Sequence, residues 1–125
     1  MLFTLGREVA NLLSKVDLLS LMVAAICHDI GHPGTNNTFQ QKICSPLALF
    51  YNDISILENH HAATCFQLMS DNSEANVLAN LCQKDFRVAR RLICRSILST
   101  DMSVHERELV RLSSRKHDKF SKESE

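Results

Sequence analysis

Apolar residues in this chain recur at every third or fourth position and hardly ever alternate. That spacing suits the 3.6-residue turn of an α-helix and not the two-residue pleat of a strand. Only two prolines and three glycines interrupt it. The expected fold class is therefore all-α, a compact multi-helix array. Leu2, Leu5, Val9, Leu12 and Leu13 form one stripe, and a second helix, with Asp17 as its candidate cap, runs through Leu18, Leu21, Met22, Ala25 and Ile26. The second helix is apolar almost all round, which predicts a central place in the core, and it delivers His28 and Asp29 at its C-terminal end. Gly31, Pro33 and Gly34 stop it, since glycine permits positive φ and proline cannot continue the hydrogen-bond ladder. The pattern then predicts a loop from Gly31 to Asn37 and a short helix through Phe39. Ser45 is read as an N-cap with Pro46 at the first helical position. A helix from Ile56 to Met69 lies on Ala62, Cys65, Phe66 and Met69, and another, from about Asp85 to Leu98, on Val88, Leu92, Ile93 and Ile97. Ser103 and Glu106 make a capping box for a last helix over Leu109 and Val110, and residues 113–125 are expected to be a disordered charged tail.

Composition narrows the function classes. Lysine and arginine total 14, aspartate and glutamate 14, so no basic stripe exists to displace counterions from nucleic-acid phosphates. The longest apolar stretch, Leu18 to Cys27, contains Ser20 and falls well short of the roughly 20 residues that span a bilayer. The opening MLFTLGREVANLL carries Arg7 and Glu8 inside its apolar pattern, which suits neither a signal nor a transit peptide, so the expected location is cytoplasmic. Five cysteines, an odd number with no C-x-x-C pair, fit reduced thiols better than a disulfide framework or zinc ribbon. A chain of 125 residues supports one modest core.

Chemistry is concentrated where the apolar helix stops. A carboxylate at the end of a buried helix is costly unless neutralised, and a neutral imidazole beside it suits zinc. His28 and Asp29 are thus candidate metal ligands, and Asp29, with two oxygens, can bridge two cations. The alternative is a helix end at which Asp29 accepts loop N–H groups and His28 is an ordinary core histidine. His32 and Asn37 follow in the stretch HDIGHPGTNN. His32 lies where it can hydrogen-bond a metal-coordinated water, and Asn37 can offer an amide to a phosphate oxygen. The competing accounts make His32 a solvated loop residue and Asn37 the cap of the following helix. Glu58 and His61 share a helix face while His60 points elsewhere. Glu58 suits either a cationic centre or the helix dipole; His61 is read as a satisfied helix histidine and is not assigned to the metals. Thr100 and Asp101 read, on spacing alone, as a junction between helices, Met102 as core, and Tyr51, Asn52 and Asp53 as a structural turn.

Three stretches in order, AAICHDIGHPGTNNTFQ, YNDISILENHHAA and LSTDMSVH, resemble the catalytic domain of class I 3',5'-cyclic nucleotide phosphodiesterases, over roughly Asp17 to His105. The resemblance implies an all-α, HD-type domain that binds zinc and a second divalent cation, Mg2+ or Mn2+, and hydrolyses cAMP or cGMP to the 5'-monophosphate. By position, His28 resembles the zinc-ligating histidine and Asp29 the carboxylate that reaches both metals. His32 resembles the histidine bound to metal-coordinated water, and Asn37 the asparagine near the substrate phosphate. Glu58 resembles the acid that holds water on the second metal, Thr100 an outer-shell partner, and Met102 a residue lining the nucleotide pocket.

The same resemblance marks what is missing. Family members carry an upstream His-Asn-x-x-His motif supplying a general acid and a zinc ligand, and this chain has no histidine before His28. Nothing after His105 matches the downstream metal-binding aspartate or the glutamine and apolar clamp that grip the purine. Gly31 also stands where many members have aspartate. Residues 1–112 are accordingly read as a partial phosphodiesterase catalytic domain, inactive alone, whose partner is the missing remainder of the domain. Two other readings stay open: a different HD-type metal phosphohydrolase with Asp101 as last ligand, and a non-catalytic helical module that dimerises with or regulates an intact relative.

Overall fold

The computed structural model describes residues 12–103, and within them every regular element is helical. α1 spans Lys15–Cys27, α2 Asn37–Lys42, α3 Pro46–Phe50, α4 Ile56–Asp71 and α5 Gln83–Leu98, with a 3-10 turn at Ser73–Ala75. The stripe before Leu12, the helix expected over Leu109 and Val110, and the tail at 113–125 lie outside the described residues. Met102 and Ser103 are already helical, so the helix starts two residues earlier than a cap at Ser103 implies, and the Ser103 N–H donates to Asp101 Oδ1 (2.9 Å).

The caps explain most boundaries. α1 begins earlier than the Asp17 cap implied. Ser14, in extended backbone, accepts from the Asp17 N–H (3.1 Å) while Asp17 Oδ2 accepts from the Ser14 N–H (2.9 Å). Asp17 is thus the third helical residue of a capping box, and the hydrogen bonds from Ser14 hold its carboxyl below the usual range. Ser45 caps α3 with Pro46 behind it, as expected, its Oγ accepting from the Ala48 N–H (3.0 Å). Ahead of α2 the competing account of Asn37 is corrected: Asn36 is the cap, its Oδ1 accepting from the Phe39 N–H (2.8 Å), and Asn37 is the first helical residue with its side chain released.

The core is built by α1, α4 and α5, and α1 packs most extensively on α5. Val23 and Ala24 meet Ala62, Cys65 and Met69, Leu78, and Ala89, Ile93 and Ile97. Alanines on all three helices let the backbones approach closely, and Ile93 and Ile97 fill the remainder with no exposed surface. Each buried isoleucine contributes about 2 kcal/mol of transfer free energy. The buried Ser20 hydroxyl is satisfied within α1 by the Val16 carbonyl (2.6 Å). The expectation that α1 is central holds for one face only. Leu18, Leu21, Met22 and Ile26 are exposed, because apolar character all round a helix does not create neighbours all round it. α5 is sharply two-sided: Ala89, Ile93 and Ile97 point inward, Lys84, Arg87 and Arg91 outward, and the Arg90 guanidinium stacks 4.2 Å from the centre of the Phe66 ring. Among the described residues no helix is long and apolar enough to cross a membrane.

Candidate metal centre and adjoining cavity

α1 ends at Cys27, and a turn over residues 28–31 carries the chain back across α4. The turn is closed by Ile30 N–H to Cys27 carbonyl (3.2 Å) and His32 N–H to Asp29 carbonyl (3.3 Å), with Gly31 at φ +70°. This brings Asp29 and His32 over the buried face of α4, where His61 sits. One ligand atom from each of Asp29, His32 and His61 lies within 4.8 Å of the others, and the His32 and His61 rings stack with centroids 5.6 Å apart.

Hydrogen-bond partners assign the tautomers. His61 Nδ1 lies 2.7 Å from the Ile30 carbonyl, an acceptor only, so Nδ1 carries the proton and Nε2 a lone pair. Burial pulls the His61 pKa below the ordinary imidazole value, outweighing the Ile30 carbonyl and the Asp29 carboxylate, which act the other way. A neutral His61 therefore presents its Nε2 lone pair to Asp29 Oδ1 at 3.6 Å. Two acceptors facing each other repel unless a cation or proton lies between them, so this donor set fits a divalent ion. Asp29 is exposed while His61 is buried, a rigid ligand facing a reachable one. His28 has the same tautomer: its Nδ1 lies 2.9 Å from the Ala25 carbonyl, which leaves Nε2 as a lone pair. It is exposed, however, and stands outside the Asp29–His32–His61 group. His32 is reversed. Its Nδ1 accepts from the Gly34 N–H (3.0 Å), so Nε2 is the N–H donor.

His32 also lines a cavity of about 470 Å³ together with Asn37, Glu58, Thr100 and Met102. Five of the seven residues singled out from sequence thus share one recess, and Asp29 adjoins it through His32. Asn37 Nδ2 donates to Glu58 Oε2 (2.9 Å), and Asn37 Oδ1 accepts from the Leu57 N–H (2.9 Å). The Thr100 hydroxyl donates to the Ile97 carbonyl (2.7 Å). Met102 is exposed, not core as its type alone suggested. Asp101 is buried; its Oδ2 accepts from the Ser55 hydroxyl (2.6 Å), and it stands outside the Asp29–His32–His61 group. The Tyr51–Asp53 segment is the expected turn, with Asn52 and Asp53 at positive φ. Sequence reasoning left out His61. Its three-residue spacing from Glu58 on the same face of α4 was noted but does not separate a ligand from a satisfied helix histidine.

Comparison with known proteins agrees across sequence and structure. A family model described as 3'5'-cyclic nucleotide phosphodiesterase matches residues 1–125. The chain is 43% identical to the 3',5'-cyclic-nucleotide phosphodiesterase regA of Dictyostelium discoideum, over 82% of this chain and 13% of that protein. It is 49% identical to the dual 3',5'-cyclic-AMP and -GMP phosphodiesterase beta of Plasmodium falciparum, over 70% of this chain and 8% of that protein. The crystal structure of the phosphodiesterase domain of the RhoPDE fusion protein from Salpingoeca rosetta superposes with a TM-score of 0.78 at 38% identity, covering 82% of this chain and 32% of that one. The chain thus spans about a third of that solved domain and a smaller share of the curated relatives. The family model spans every helix, the cavity and the histidine cluster, and the chain belongs to the 3'5'-cyclic nucleotide phosphodiesterase family.

Proposed function

We propose that this chain supplies the metal-binding and water-orienting part of an enzyme that hydrolyses 3',5'-cyclic nucleotides, cAMP or cGMP, to 5'-monophosphates. The observation that carries this reading is the shared position of His32, which belongs both to the Asp29–His61 cluster and to the cavity lined by Asn37 and Glu58. Asp29 and the Nε2 atom of His61 would hold a divalent cation, zinc by the family resemblance, which also implies His28 as a ligand although it stands outside that group, and a second ion, Mg2+ or Mn2+, at Asp29. Such cations, when bound, acidify water and neutralise charge growing on phosphoryl oxygens. His32, a donor at Nε2, orients the attacking water. Glu58, by the resemblance, would hold water on the second ion. One amide hydrogen of Asn37 is used by Glu58, and the second is left for a phosphate oxygen. Met102 and Thr100 both line the cavity; by the resemblance Met102 would rest against the nucleotide and Thr100 would be an outer-shell partner.

The test is turnover of cAMP and cGMP by the complete catalytic domain containing this segment, with and without Asp29→Ala. Asp29→Ala is expected to lower kcat by at least about 10³-fold, and the 125-residue chain alone is expected to turn over neither nucleotide. Retained turnover in Asp29→Ala overturns the reading.

A further inference from the structure

Two adjacent asparagines, Asn36 and Asn37, occupy the start of α2, and each ends up at the start of a different helix. Asn36 caps its own helix through the Phe39 N–H. Asn37 reaches 20 residues along the sequence to the first turn of α4, where Leu57 is the second helical residue.

That turn lacks an internal cap. Ser55 occupies the N-cap position but lies in the left-handed region at φ 41°, ψ 53°, and its side chain makes no capping bond. An N-cap residue normally sits in extended backbone so that its hydroxyl can turn back over the N–H groups ahead of it. In Ser55 the hydroxyl is spent instead on Asp101 Oδ2 at 2.6 Å, which ties α4 to the end of α5. The Leu57 N–H, part-buried and one of the donors that every helix start leaves unmatched, is satisfied from outside by Asn37 Oδ1 at 2.9 Å. The other arm of the same amide, Nδ2, donates to Glu58 Oε2 at 2.9 Å. A flipped amide would set N–H against N–H and oxygen against carboxylate, so both bonds fix one orientation.

We infer that Asn37 is a positioning residue: it caps α4 in place of Ser55 and, with the same amide, sets the direction of the Glu58 carboxylate. One planar group locks helix start and carboxylate together, so Glu58 cannot swing without breaking a bond to a side chain already held at the Leu57 N–H. The consequence for catalysis rests on the phosphodiesterase reading; the geometry does not.

The test uses the full 125-residue chain without metal or nucleotide, so its outcome is independent of whether cyclic nucleotides are the substrate. Two signals are read by NMR: hydrogen exchange of the Leu57 amide and the side-chain carboxyl carbon of Glu58. The Cys65 amide, deep in α4, reports global opening. Asn37→Ala removes both bonds, so Leu57 exchange accelerates about tenfold relative to Cys65 and the Glu58 signal moves. Asn37→Asp keeps an acceptor for the Leu57 N–H and loses the donor to Glu58. Its Leu57 exchange stays within about twofold of the parent while the Glu58 signal moves, a separation that loss of fold would not produce. Unchanged Leu57 exchange in Asn37→Ala, or an unmoved Glu58 signal in Asn37→Asp, overturns the inference. Should Asn37→Ala not fold, Asn37→Asp decides by the same two signals.

Discussion

Gly31 and Gly34 flank His32 at φ +70° and +78°, yet their surroundings differ. A Cβ on Gly34 meets nothing within 4 Å, whereas one on Gly31 lies 3.2 Å from His60 Nε2 and 3.7 Å from Thr64 Cγ2. Gly34→Ala should therefore lose only the backbone cost of the left-handed region, about 1 kcal/mol, and Gly31→Ala that cost plus displacement of the His60 ring. Urea denaturation of the two variants checks the order, and equal losses would mean that the contact with His60 yields freely. Single residues were unevenly legible in the sequence. His32 and Asn37 stood out in the short stretch HDIGHPGTNN, whereas Glu58, Thr100 and Met102 were singled out only through the family resemblance; all five line one cavity. His61 was passed over because imidazole on a helix face is ordinary. What sets it apart is the Ile30 carbonyl on Nδ1 and Asp29 before Nε2, contacts across roughly thirty residues of sequence that no local pattern records.

Among elements, the helices were legible wherever period and cap agreed. Ser45–Pro46 opens α3 as read, and α4 and α5 extend two residues beyond the expected ends, to Asp71 and back to Gln83. The errors fell on caps with two adjacent candidates, Ser14 or Asp17 and Asn36 or Asn37, where residue type is degenerate and backbone geometry decides. α4 also carries a prediction. Burial, helped by hydrogen bonding with Cys27 and by nearby Cys94, pushes the Cys65 thiol from 9.0 up to about 12. At pH 8 iodoacetamide should label exposed Cys44 and Cys82 at least about 100-fold faster than Cys65, read by mass spectrometry. The sign of the stability effect follows from linkage. The native thiol holds its proton after the unfolded thiol has released it, so the contribution of Cys65 is complete below pH 9.0 and declines as pH rises from there toward 12. Denaturation at pH 8 and pH 10 should show this decline in the parent and not in Cys65→Ala.

For the molecule as a whole, α1 carries one buried and one exposed apolar side. α1 buries Ser20, Val23 and Ala24 against α5 and leaves Leu18, Met22 and Ile26, four residues apart in turn, on the opposite side. An apolar stripe of that kind drives association in water. Met22→Lys with Ile26→Lys should change the unfolding free energy by no more than about 1 kcal/mol, since neither side chain is buried, and should shift the sedimentation profile toward monomer. A loss of several kcal/mol would show that this side of α1 is covered in solution. The fold class was legible because helical period survives any packing arrangement; which side of α1 faces α5 was not, because nearly every side of it is greasy.

The shared imidazole of His32 has one more implication. A ring that borders both the cluster and the cavity is where an ion and a ligand would be coupled, and reciprocity requires that any factor by which one changes the affinity of the other be the same in both directions. Ion loading and ligand capture would be read as a single thermodynamic cycle, closed at one side chain.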